Sequence, residues 1–191
     1  MIQLTKFLQV PRSTHILYFF EDIDMYLNNL LAYITAGVKL GHHLLVIENS
    51  DIMDQAKTRM NALLSEEEQK LVHYYDNHLY YRCYGEFHIQ SILQHFGELV
   101  TSFLSKNVNI RTWAHVEWKK QDDISSKLME FERLADCSVN DMKVMSVCAY
   151  SSSDISASFQ TTMMRSHEYL MTDKEFVQSP LYRKTVGAKE D

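Results

Sequence analysis

Five short runs rich in β-branched and aromatic residues alternate along this chain with longer segments whose apolar residues recur at helical spacing. Few folds accommodate that order. It predicts an α/β fold, with a mostly parallel central sheet and helices on both faces. Strands are expected over 15–20, 44–47, 72–75, 110–116 and 143–149, with a last short one over 168–171. Helices are expected from Ile23 to a glycine-punctuated end at Gly37 and Gly41, then over 52–64, 89–104, 124–134 and 155–165. The polar and aromatic stretch 76–87 reads as a long loop, and 181–186 as a tail element pairing at an edge. Neither repeat nor linker interrupts the 191 residues, so one domain is expected, with its core over 13–171 and a tail over 172–191.

Open parallel sheets bind ligands beyond the carboxyl ends of their strands. That rule nominates Glu21, Asp22, Glu48, Asn49, Glu117, Trp118 and the segment from Tyr150 to Ser153. Glu48 and Glu117 end strands that should be central, and with Trp118 and Arg111 they are read as the lining of a pocket. Arg111 precedes Glu117 by six residues, an even separation that puts both side chains on one strand face. A structural ion pair is the other reading of these carboxylates. Glu21, Asp22 and Asp24 could hold a cation or do acid–base work, whereas helix capping accounts for Asp22 and part of Asp24. Glu21 is left without such a role. His15 at the start of the first strand either touches a ligand or is a buried histidine held by a carbonyl. Arg165 and His167 follow a helix and either contact an anion or complement the helix dipole.

Tyr74, Tyr75, Tyr80, Tyr81, Tyr84 and Phe87 form an aromatic cluster suited to a pocket, an interface or a covered sheet edge. His42 and His43 should diverge in a following strand. Nine histidines raise the question of a metal, but no H-E-x-x-H or paired C-x-x-C spacing occurs, so none is expected. No G-x-S-x-G elbow supports nucleophilic catalysis. The five glycines spell neither phosphate-loop signature, where average usage would supply about 13 glycines. Nineteen basic against 25 acidic residues give a charge of −6 with no dense basic run, which argues against direct nucleic-acid binding. No apolar run approaches the roughly 20 residues that span a bilayer, and the first residues lack a secretory pattern. Three cysteines fit a cytoplasmic chain, with Cys137 and Cys148 as small core hydrophobes.

The order of these segments resembles the MEDS family, the methanogen/methylotroph sensory domain. The residues that carry the resemblance are the 15–22 run, Gly37-x-x-x-Gly41, the 44–48 run, Arg111-x-Trp-x-x-Val-Glu117-Trp118, Cys148-Ala-Tyr150 and Met164-Arg165-Ser-His167. His15 matches the family's histidine. The resemblance implies a RecA/KaiC-like fold without its phosphate-binding loop. At that loop position the chain has Glu21-Asp22-Ile23-Asp24-Met25-Tyr26, three carboxylates that would repel a triphosphate and no lysine to hold it. It further implies a non-enzymatic domain that senses a small molecule without a cofactor. Family members are often fused to kinases or DNA-binding domains. Here the signal is expected to pass to a separate kinase or transcription regulator, or to a second copy of the chain. Residual nucleotide binding, or a scaffold with a collapsed pocket, are the alternatives.

Overall fold

A computed structural model describes residues 6, 13–82, 87–118 and 123–183. The central sheet has seven strands in the order β3-β2-β4-β5-β1-β6-β7. These are β1 (Thr14–Phe20), β2 (His43–Glu48), β3 (Val72–Asp76), β4 (Ile110–His115), β5 (Met145–Ser151), β6 (Tyr169–Met171) and β7 (Phe176–Gln178). All pairings are parallel except that of β7, which runs antiparallel to β6 at the edge. Every residue of β1 is buried, as a strand covered on both faces requires.

Side-chain alternation along the strands sorts the core into two layers. Ile16, Tyr18, Phe20, Val46, Trp113 and Val147 face one way. They meet α1 (Ile23–Lys39) and α2 (Ser50–Met60), which bring Tyr26, Leu27, Leu30, Ile34, Met53 and Ala56. Leu17, Phe19, Ile47, Ala114, Cys148 and Tyr150 face the other way. Against them pack α4 (Asn77–Arg82), α5 (Ile89–Leu104), α6 (Ile124–Met142) and α7 (Ala157–Met163); the one-turn α3 (Glu66–Gln69) carries no buried residue.

Asp22 caps α1 by accepting a hydrogen bond from Met25 N at 2.9 Å. The helix ends where Leu40 and His42 amides return to the Gly37 carbonyl and Gly41 turns at φ 69°. Gly37 itself lies against β2, where an added Cβ would meet the Leu44 methyls at 2.8 and 2.9 Å.

Four expectations need correction. The 76–87 stretch is not all loop, because Asp76 accepts from Leu79 N at 3.0 Å and starts α4; Cys83 and Tyr84 lie outside the described residues. Helix α6 continues past Leu134 to Met142, because Ala135 and Val139 extend its buried stripe. Helix α7 begins after Ser156, whose side chain caps it, and Ser152–Asp154 is a single 3₁₀ turn. The edge element is β7 at Phe176–Gln178, ahead of the 181–186 segment; of that segment, 184–186 lie outside the described residues.

Candidate functional site

Side chains at the carboxyl ends of β2 and β4 form a continuous polar chain. Trp113, His115 and Glu117 alternate along one strand direction and so share a face. Trp113 Nε1 donates to the Tyr26 hydroxyl at 2.7 Å, and that hydroxyl donates to Glu48 Oε2. Glu48 is fully buried, and its Oε1 lies 2.7 Å from both His115 Nδ1 and the Asn49 amide. His115 Nε2 faces Glu117 Oε1 at 3.8 Å, while Glu117 Oε2 accepts from Asn77 at 3.0 Å and lies 3.3 Å from His78. Burial pushes the His115 pKa down, but Glu48, Glu117 and Asp154 outweigh it, so the pKa ends above its ordinary value. Burial and Glu48 hold the Tyr26 phenol well above its usual range.

The turn from β1 into α1 is occupied by another segment of the chain. Asp173, between β6 and β7, sends Oδ2 to the amides of Glu21 and Asp22, each at 3.0 Å. Its Oδ1 accepts from the Tyr18 hydroxyl at 2.7 Å. A carboxylate thus takes the two amides that lead into α1. Beside it opens a cleft of about 550 Å³ over the ends of β1, β5 and β6. Phe19, Met25, Met164 and Leu170 give it apolar walls; Glu21, Asp22, Gln160, Thr172, Asp173 and Lys174 give it polar ones.

A third group is buried on the α6 face. His15, Glu132, Cys148 and His167 each present a donor atom, and all four atoms lie within 4.8 Å of one another. His15 Nε2 is 3.3 Å from Cys148 Sγ and 3.6 Å from Glu132 Oε2, which is 3.2 Å from His167 Nε2. Tyr150 donates to Glu132 Oε1. Burial alone would raise the Glu132 carboxyl pKa, but His167 and His15 bring it below its ordinary value.

The nominated residues therefore divide among several places. Glu48 and Glu117 converge on His115, so both face one interior group, but Phe20 packs edge-on over that ring at 5.2 Å and Glu48 lines no open pocket. Glu21 does line the cleft. Arg111 sits at the amino end of β4, bonded to His42 at 3.0 Å, about 20 Å along the strand from Glu117 at 3.3 Å per residue. Shared face did not mean shared end. Trp118 packs on Tyr150 at 6.0 Å, and Tyr150 points inward to Glu132. His15 is both held by a carbonyl, Ser166 O at 3.1 Å, and grouped with His167. Arg165 is exposed near Arg133 and Arg183 around a separate depression of about 310 Å³. His42 and His43 diverge as expected, to Arg111 and to His73. Histidine spacing did not disclose the buried group, and Cys148 is more than a core filler. A usable signal was present in α6, where Glu132 and Asp136 fall four and eight residues after Leu128 on the apolar stripe. Asp173 carried no sequence signal.

Fold and site together define a RecA/KaiC-like α/β domain in which Asp173 holds the amides of the β1–α1 turn. Two solved structures share the architecture. The KaiC-like protein PH0186 from Pyrococcus horikoshii OT3 superposes with a TM-score of 0.56 at 12% identity, covering 85% of this chain and 71% of that one. The flagellar accessory protein FlaH from Methanocaldococcus jannaschii gives 0.51 at 12% identity, covering 88% and 75%. A search of curated proteins finds no match to the sequence. The chain belongs to the MEDS family, the methanogen/methylotroph, DcmR sensory domain, whose profile matches residues 14–168. It is thus a member of a sensory-domain family. Among the described residues, no helix is long and apolar enough to cross a membrane.

Proposed function

We propose that the chain is a non-enzymatic cytoplasmic sensor that takes a small, non-nucleotide molecule in the cleft over β1, β5 and β6. Occupancy is passed to a separate kinase or transcription regulator, or to a second copy of the chain. The observation that carries this reading is Asp173. Its carboxylate holds the β1–α1 amides that a phosphate would need, while the cleft beside it stays open. Three carboxylates against the single cation Lys174 repel a triphosphate and suit a ligand bearing amine or hydroxyl donors. The apolar walls would take the body of such a molecule, and the volume falls in the range of small-molecule pockets, about 300–1,000 Å³. Thr172, Asp173 and Lys174 form the turn into edge strand β7, so a ligand touching them acts on the sheet edge. That edge is the proposed route to a partner.

Thermal-shift screening of the purified chain tests this reading, with amines, polyols and ATP with magnesium as separate arms. A small amine or polyol should raise the melting temperature, and Met164→Trp, which fills the cleft, should abolish the rise. Stabilisation by ATP with magnesium that Met164→Trp removes would instead mark a nucleotide-binding protein. A null result in every arm would leave a scaffold and defeat the proposal.

A further inference from the structure

The buried group on the α6 face has the composition of a transition-metal site, and three features separate it from ordinary core polarity. The first is tautomer control. His15 Nδ1 lies 3.1 Å from Ser166 O and 3.5 Å from Asp136 Oδ1, and His167 Nδ1 lies 2.8 Å from Met163 O. A carbonyl oxygen only accepts, so each Nδ1 carries a hydrogen, and in the neutral imidazole each Nε2 turns a lone pair inward. Metal-binding histidines are held in this way by outer partners. The second is that Glu132 Oε2 and His167 Nε2 are fully buried and form no aligned hydrogen bond, although they lie 3.2 Å apart. With the His167 ring neutral, two lone pairs facing each other in a dry interior cost free energy unless a cation, a proton or a metal ion, lies between them. The third is charge: among the described residues the basic groups seen within 4.0 Å of the buried carboxylates of Glu132 and Asp136 are histidines alone, with no lysine or arginine.

We propose that His15 Nε2, Glu132 Oε2, Cys148 Sγ and His167 Nε2 bind one divalent transition-metal ion, zinc or a neighbour of similar preference, in a closed four-ligand site. Nitrogen, sulfur and carboxylate donors together select zinc-like ions over magnesium or calcium. Bonds of about 2.0–2.3 Å in a tetrahedron set donor–donor distances near 3.3–3.8 Å, and the 3.2, 3.3 and 3.6 Å separations fall at or close to that range. The longest separation, at most 4.8 Å, closes with a contraction of about 1 Å. On binding, the Cys148 S–H bond breaks, a sulfur–metal bond forms and one proton leaves to solvent. One thiolate and one carboxylate then neutralise the dication, with both imidazoles neutral. The ligands come from β1, α6, β5 and the segment between α7 and β6. The ion would clasp that last segment, which leads to the cleft wall, onto the sheet.

The test uses the full chain expressed in cobalt-supplemented minimal medium, so that metal enters during folding. About one cobalt per chain is expected, with the visible bands of tetrahedral cobalt and a near-ultraviolet thiolate charge-transfer band. Cys148→Ser should remove the thiolate band, and the near-isosteric Glu132→Gln should lower retained metal about tenfold or more. Absence of cobalt from the folded wild-type chain overturns the proposal. So does a thiolate band that survives Cys148→Ser, because the ion would then sit elsewhere, for instance on Cys137 or the His43–His73 pair. Circular dichroism of both variants separates metal loss from unfolding, and the wild-type result stands without them.

Discussion

At the scale of single residues, His115 ties protonation to stability. Burial opposes its charge, yet Glu48 on one side and Glu117 on the other raise its folded-state pKa. Glu48 belongs to β2, Tyr26 on α1 donates to that carboxylate, and Asp154 adds negative charge from the 3₁₀ turn. A raised folded pKa makes the contribution of His115 complete below its unfolded value of about 6.5 and erodes it as pH climbs through the folded value. Urea unfolding from pH 5.5 to 8.5 should therefore show the wild-type advantage over His115→Gln shrinking as pH rises. An advantage that grows with pH would contradict this account. The sequence disclosed Glu48 and Glu117 because strand ends are readable from apolar runs. It hid Tyr26, one turn into α1, because a helical tyrosine looks like any other core residue. Arg111 was misplaced for a related reason: parity along a strand gives the face of a side chain but not its distance from the end.

At the scale of elements, the contact between α1 and β2 sets a tolerance. Gly37 admits the Leu44 methyls at 2.8 and 2.9 Å from where a Cβ would stand, and the Arg111 side chain at 3.4 Å. Leu44 is buried and paired to Val72 and Arg111 on either side, so it has little room to retreat. Gly37→Ala should gain about 1 kcal/mol in helix propensity and lose about 1–3 kcal/mol to overpacking, a net loss of up to about 2 kcal/mol in urea denaturation. Net stabilisation would mean that the helix shifts freely on the sheet. The principal elements were legible because α1 and α5 repeat a helical period over 17 and 16 residues and β1 and β2 are continuous apolar runs. Short ones were not. Helix α4 is six residues long and β7 three, so neither completes two periods of its pattern. Their existence rests on long-range partners, such as Tyr80 bonded to Ile92 O of α5, Tyr81 edge-on to Phe131 of α6, or Phe176 stacked on Tyr169 at 5.2 Å.

For the whole molecule, the segment after β6 belongs to the body of the domain. Ser179 bonds Glu168 O at 2.8 Å through its amide and Met164 O at 2.7 Å through its hydroxyl, and β7 covers the outer edge of β6. Truncation after Met171 should bare an unpaired parallel edge, and exposed edges recruit other chains. Size-exclusion chromatography with light scattering should show larger species than for the full chain; an unchanged mass would make β7 dispensable. Asp173 has a broader consequence. A group of the same chain, held against its site by the fold, competes as an intramolecular ligand at a high effective concentration. On the proposed reading, a turn with that anion built in would not answer to the nucleotide supply, and the domain would keep one occupied form whatever the energy charge of the cell. On that reading, an architecture shared with PH0186 and FlaH would thereby be free to report on something other than phosphates.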